Sequence, residues 1–282
     1  MEWLTETKIP LGKWVKNAVD FINEHAAFVF DAISESLSFL IEGLIDILLW
    51  PHPLLLVAGF TGLAWWFRRS WPLAVMMVLS LLLIINLGYW EETIETLALV
   101  IFATTVCMGV GVPVGIKAAH RPWLETALRP VLDLMQTIPT FAYLIPTLIL
   151  FGLGVVPGLI STVIFAIPAP IRLTTLGIKS TPRDLIEAGE AFGCTRRQLL
   201  MKVELPHAMP TIMAGLTQCI MLSLSMVVIA ALVGADGLGV PVLRALNTVN
   251  IAKGFEAGLA IVIVAILLDR IFRRNDPAGP AS

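Results

Sequence analysis

The chain has 282 residues, of which 57% are hydrophobic and 14% charged, against about 45–50% and about 25% in soluble domains; its mean hydropathy is +0.86. That composition excludes an ordinary soluble globule and places the chain in a lipid bilayer. A formal net charge of −2 offers no surface for a polyanion and argues against nucleic acid as a partner.

Residues 1–50 form a first unit. They carry no uninterrupted apolar core ahead of a small-residue site, so they lack the pattern of a cleavable signal. Between Ala26 and Trp50 the acids Asp31, Glu35, Glu42 and Asp46 recur at intervals of four, seven and four, which gathers them on one face of a helix with apolar residues opposite. Four carboxylates are costly in hydrocarbon, so the pattern predicts an amphipathic helix on the outer surface. The alternative is an eighth crossing with its polar face turned into the bundle.

Residues 51–272 read as an all-α, polytopic membrane bundle. Apolar stretches of near-spanning length lie at about 52–67, 72–90, 93–116, 131–152, 158–179, 207–234 and 254–272, which predicts about seven crossings. Basic residues follow alternate ones: Arg68 and Arg69, then Lys117, His120, Arg121 and Arg129, then the 183–202 cluster, then Arg270, Arg273 and Arg274. By the positive-inside bias these regions are cytoplasmic, with the N-terminus outside and residues 273–282 as a short cytoplasmic tail.

Four prolines punctuate adjacent crossings, Pro139 and Pro146 in the fourth and Pro168 and Pro170 in the fifth. Each removes a backbone donor and disfavours helix just before it. One such proline is ordinarily a packing kink; four together point to a gate or pathway, where freed carbonyls meet a water-filled cavity. Gln136, Thr137, Thr140 and Tyr143 on the fourth crossing and Ser223 and Ser225 on the sixth are candidate pathway linings, although Ser and Thr also bond back to their own helix. Arg172, about two turns inside the fifth crossing, must snorkel, line water or find a carboxylate. Asp133 and Asp184 are its candidate partners, in a structural ion pair or an inner gate.

Between the fifth and sixth crossings the chain spends about 27 residues, Ser180 to Pro206, on a patterned polar segment, longer than a plain connection needs. Thr181 with Pro182 and Asp184 predicts the start of a short helix that Gly193 ends in a left-handed cap. Thr195 and Gln198 form a second capping box, opening a helix that Leu205-Pro206 is expected to end. Leu185, Ala188, Gly189 and Phe192 share one face of the first helix, and the small pair Ala188 and Gly189 would admit a close-packed partner.

Chemistry is otherwise thin. Cys107, Cys194 and Cys219 form no CxxC pair and suggest no metal site, and His25, His52, His120 and His207 have no HExxH companion. The glycine runs Gly109-x-Gly111-x-x-x-Gly115 and Gly152-x-Gly154-x-x-x-Gly158 miss the dinucleotide spacing and suit close helix packing. No GxxxxGK[ST] phosphate loop is present, so this chain expects no cofactor of its own and energy from a partner. A gated small-solute channel shares the apolar helices but has no use for a capped helix pair. An intramembrane enzyme needs a convergent catalytic set that the sequence does not offer.

The run Glu187-Ala188-Gly189, Gly193, and Val203-Glu204-Leu205-Pro206 resembles the EAA loop of ABC importer permeases, departing from it where Gly189 replaces the second alanine. From about Glu92 to Arg270 the chain is similar to the permease subunit of the quaternary-amine importers. That likeness rests on Leu132-Asp133-Leu134-Met135-Gln136-Thr137-Ile138-Pro139, on Leu150 through Gly158, on Phe165-Ala166-Ile167-Pro168, on Ile171-Arg172-Leu173-Thr174 and on Leu222 through Ala230.

The resemblance implies a type I-like permease in a bacterial cytoplasmic membrane, two copies forming one pore. It also implies two ABC ATPase subunits that bind ATP and Mg, and an external binding protein delivering glycine betaine, proline betaine, choline or an amine oxide; another small solute is the alternative. Cation–π capture of a methylated ammonium needs an aromatic cage. This chain has 2 Tyr and 8 Trp, and Trp50, Trp65, Trp66, Trp71 and Trp90 fall at predicted membrane borders, so recognition is expected mainly in the binding protein.

Overall fold

The computed structural model describes residues 10–272; the predicted tail at 273–282, with Arg273 and Arg274, lies outside them. Helix α1, Leu11–Leu49, runs 39 residues, about 58 Å at 1.5 Å per residue. It begins well before Ala26 because nothing after Gly12 breaks it. Asp31, Glu35, Glu42 and Asp46 are all exposed, so the acidic stripe stands. The opposite face packs on protein rather than standing apart from it: Ile41 clusters with Ala103 and Leu159, flanked by Leu37, Ile45, Phe102, Val155 and Val163. Phe30 meets Phe151 edge-on at 5.2 Å.

A turn at Pro51 bends the chain by 100° into α2, Pro53–Arg68. Arg69, left-handed at φ 45°, reverses it into α3, Trp71–Leu87. Next come α4, Trp90–His120, then α5, Pro122–Thr137, and α6, Thr140–Phe151. The last two meet at 96°, so the predicted fourth crossing is a broken element. Pro139 causes the break: Ile138 is extended at ψ 132°, as a residue before proline prefers. Pro146 sits inside α6 without interrupting it.

Helices α7, Val155–Ala166, and α8, Pro168–Lys179, together make a span of 25 residues. Pro168 and Pro170 fall in the first turn of α8, where missing donors are tolerated, so they do not break the span sharply as Pro139 does. Beyond it lie α9, Arg183–Ala191, and α10, Arg196–Leu199. A π-helical turn at Leu200–Glu204 leads into α11, Leu205–Ala230, and a 3₁₀ turn at Ala231–Val233 follows. The chain closes with α12, Gly239–Asn247, and α13, Ile251–Phe272. Among the described residues four segments are long and apolar enough to cross a membrane, or up to six if each bent pair is one span, while α3 is a shorter apolar helix.

The centre is a three-helix contact built on small residues. A Cβ on Gly111 would lie 2.9 Å from Pro170, one on Gly115 2.7 Å from the Ile171 carbonyl oxygen, and one on Gly177 3.0 Å from Thr211. Thus α8 is clamped between α4 and α11, as expected where backbones must approach closely in lipid. At the opposite end from the polar loop, the Leu238 N–H donates to Thr96 Oγ1 at 2.8 Å and the Gly154 N–H to the Val233 carbonyl at 2.9 Å. Gly158 packs on Ala230 and Ala235, but Gly152 and Gly154 serve the turn before α7, with φ of 74° and 131°.

Candidate functional site

The Ser180–Pro206 segment folds as two short helices around a glycine bend. Gly193 is left-handed at φ 74°. Around it the Cys194 N–H donates to the Gly189 carbonyl at 3.0 Å and the Gly193 N–H to the Glu190 carbonyl at 2.9 Å, completing a Schellman cap. The capping box closes in both directions: Gln198 N–H donates to Thr195 Oγ1 at 3.3 Å, and Thr195 N–H to Gln198 Oε1 at 2.8 Å.

Three expectations are corrected here. Thr181 does not cap α9; its side chain is buried with no hydrogen-bond partner, and Pro182 stands at the cap position. Gly189 does not await a partner, because it is buried against Leu199, whose Cδ1 would lie 2.7 Å from an added Cβ. Leu205-Pro206 does not end the second helix. Pro206 occupies the first turn of α11, the Leu205 N–H bonds back five residues to the Leu200 carbonyl, and Arg196–Val233 runs as 38 residues. The π turn relieves the clash that a proline ring makes with the preceding turn.

The outward surface of the loop mixes charged residues with large apolar ones. Leu185 is 46% exposed, Met201 56% and Phe192 90%, with Glu187, Ala188 and Glu190 exposed beside them. Beneath this surface Glu204 is buried, and its Oε2 lies 2.9 Å from His120 Nε2 at the end of α4. His120 Nδ1 in turn faces the Ile116 carbonyl at 2.8 Å. The sequence named Glu204 in the loop run and His120 among the basic residues but did not pair them, although an acid where a helix enters the membrane is itself a sign of a buried partner.

Beside the loop a cleft of about 520 Å³ opens between α4, α5 and α8. Asp133, rather than Asp184, is the partner of Arg172, at 2.6 Å, with both side chains well exposed. Glu125 joins Lys179 at 2.7 Å and Arg129 at 2.9 Å. Hydrogen bonds from Lys179 and then Arg129 hold its carboxyl below the ordinary range.

The other candidate linings divide. Thr137 and Ser225 are exposed, bonding back to Leu134 and Met221, and Gln136 and Thr140 are half-buried. Tyr143 is buried, its hydroxyl donating to the Met135 carbonyl across the α5–α6 break. Ser223 is fully buried beside Cys219. Cys219 in turn neighbours Cys107, so two of the cysteines that look scattered in sequence meet between α4 and α11.

The described residues form a helical membrane bundle with a capped polar loop continuous with one of its spans. Residues 111–278 match the model of the binding-protein-dependent transport system inner membrane component family. The chain is 48% identical over 264 residues to the glycine betaine transport system permease protein OpuAB of Bacillus subtilis (strain 168), covering 94% of this chain and 93% of that one. It is 43% identical over 267 residues to the glycine betaine/proline betaine transport system permease protein ProW of Escherichia coli (strain K12), covering 94% and 75%. Among solved structures, an inward-facing conformation of the MetNI methionine ABC transporter superposes with a TM-score of 0.56 at 26% identity, over 64% of this chain and 92% of that chain. The chain belongs to the family of inner-membrane components of binding-protein-dependent transport systems. It is therefore a multi-pass permease subunit of an ABC importer and not an enzyme, with ATP hydrolysis in a separate subunit and an external binding protein as partner.

Proposed function

We propose that two copies of this chain form the pathway of an importer for a small quaternary or methylated amine, such as glycine betaine, proline betaine, choline or an amine oxide. The glycine betaine named for both relatives supports that class. Two ATPase subunits bind ATP and Mg, this chain contributes no cofactor, and lipid surrounds it. The positive-inside bias of the basic residues supports a cytoplasmic loop and C-terminus and an outer N-terminus.

One observation supports the coupling step: α10, the π turn and α11 are a single helical rod, so a push on the docking surface is delivered to a membrane span without a hinge. Glu187, Ala188, Gly189, Gly193, Val203, Leu205 and Pro206 form this handle. ATP-driven closure of the ATPases moves it as a body and swings the bundle between inward-open and outward-open states. Solute passes the broken α5–α6 element and the start of α8, with Gln136, Thr137, Pro139, Thr140, Pro146, Pro168, Pro170, Arg172 and Ser225 along the route and Tyr143 and Ser223 holding its walls.

The test is uptake of labelled glycine betaine into proteoliposomes that hold the permease with its ATPase and binding protein. Wild type accumulates solute only with ATP. Glu187→Arg lowers uptake at least about tenfold, the loss of ~1.4 kcal/mol of docking, with the protein still folded. Normal uptake by Glu187→Arg overturns the coupling role, and a wild-type complex that hydrolyses ATP but accumulates no methylated amine overturns the substrate class.

A further inference from the structure

We propose that the thiols of Cys107 on α4 and Cys219 on α11 form a two-coordinate site for a soft monovalent cation of the Cu(I) class. Their spacing in sequence makes no motif, but the fold brings them together: both are free, both are 0% exposed, and they share one small cluster with Ala166. The Cys107 thiol donates only a long contact to the Val163 carbonyl, at 3.6 Å. Buried cysteines ordinarily pack as small apolar side chains; the groups around this pair are polar.

Helical spacing puts Thr104 one turn before Cys107 and Ser223 one turn after Cys219, on the same faces as the thiols. Both hydroxyls lie beside Cys219, both are buried, and neither has a hydrogen-bond partner among the described residues. That is not the habit of these helices: the neighbouring Thr105 and Ser225 bond back to the Ile101 and Met221 carbonyls. An unspent buried donor costs free energy, and a thiolate at Cys219 would accept from both. The four side chains are thus arranged for sulfur in its metal-binding form, with hydrogen-bond donors supporting the ligand.

Charge and ligand number decide the cation. On binding, each thiol loses its proton and each sulfur forms one bond to the metal, so two RSH and M⁺ give [RS–M–SR]⁻ and two protons; the two hydroxyls offset the remaining negative charge. No third His, Cys, Asp or Glu joins the pair among the described residues. The four ligands that zinc takes are therefore not at hand, whereas soft thiolate donors select Cu(I). An entry path lies alongside. A cavity of about 340 Å³ between α4, α11 and α13 reaches from Phe272 to Thr104, and Met108 adds a soft thioether to its lining. Once seated, the cation pins α4 to α11.

The experiment uses the reduced permease–ATPase complex in detergent without oxygen, loaded with Cu(I) and washed with a Cu(I) chelator as competitor. Retained copper is counted per permease chain by elemental mass spectrometry. Wild type is expected to hold one equivalent more than Cys107→Ser or Cys219→Ser, and Cys194→Ser as much as wild type. Copper raises the unfolding temperature of wild type and not of Cys219→Ser, and zinc in equal amount does not displace it. Ser223→Ala, which keeps both thiols, lowers the affinity about tenfold or more, and it carries the test if the cysteine variants misfold. Copper held equally by wild type and both cysteine variants, loss in Cys194→Ser instead, displacement by an equal amount of zinc, or undiminished affinity in Ser223→Ala overturns the proposal.

Discussion

Glu204, buried in the polar loop, and His120, at the end of α4, meet with Oε2 2.9 Å from Nε2. The other imidazole nitrogen, Nδ1, faces the Ile116 carbonyl at 2.8 Å. The contact ties the polar loop to a second span besides α11. His120→Ala leaves a buried carboxylate without its partner and is expected to cost about 1–3 kcal/mol, nearer the lower figure because His120 is 45% exposed. Glu204→Gln, whose amide still hydrogen-bonds the ring, costs less. Thermal unfolding of both variants checks the ranking.

The left-handed bend at Gly193 has open space around it, so only backbone conformation limits substitution. Gly193→Asn, which tolerates that region, keeps uptake. Gly193→Val pays about 1–2 kcal/mol and loses coupling. Equal uptake by the two variants would show that the bend is not held at this φ.

Gly189 predicts a compensating pair. Gly189→Ala needs only the flexible end of Leu199 to move and is nearly silent. Gly189→Val impairs ATP-driven uptake, and Leu199→Ala in the same chain restores part of it, an interaction of about 0.5–3 kcal/mol for touching residues. A double-mutant cycle on uptake and unfolding measures it.

Gly115 has no such freedom, since an added Cβ meets the Ile171 carbonyl oxygen at 2.7 Å. Gly115→Ala is expected to destabilise the bundle by about 1–3 kcal/mol, seen as a lower unfolding temperature in detergent. Gly109→Ala, which meets nothing within 4 Å, leaves it unchanged.

In the cleft, the depressed carboxyl of Glu125 sets a pH dependence. A carboxylate lowered in the folded state stabilises fully above its free value of about 4.3 and loses that contribution as pH falls through the lowered value. Glu125→Gln should therefore change stability at pH 7 and converge with wild type in strong acid. The Arg172–Asp133 pair is exposed on both sides and is worth about 0–1 kcal/mol. Asp133→Asn should leave the unfolding temperature unchanged, whatever it does to uptake.

The loop was legible in sequence because caps are local: Gly193, Thr195 and Gln198 each act within a few residues. Pro139 was legible for the same reason. What escaped depends on contacts distant in sequence. Composition does not reveal that α1 covers Ala103 and Leu159 or that Leu199 fills the space over Gly189; for Arg172 the sequence offered Asp133 and Asp184, and only the fold chooses Asp133. Pro206 misled because a proline ordinarily stops a helix, and here one turn of looser helix absorbs it.

That looser turn has a rotational consequence. Five residues between bonded groups in place of four insert one extra residue, about 100° of twist at 3.6 residues per turn, between the exposed loop and the membrane-spanning part of α11. On the proposed coupling role, the azimuth at which the loop meets the ATPase is thereby set by a single extra residue in Leu200–Glu204. Removing one residue there would keep every side chain of the handle and aim it at the wrong quarter.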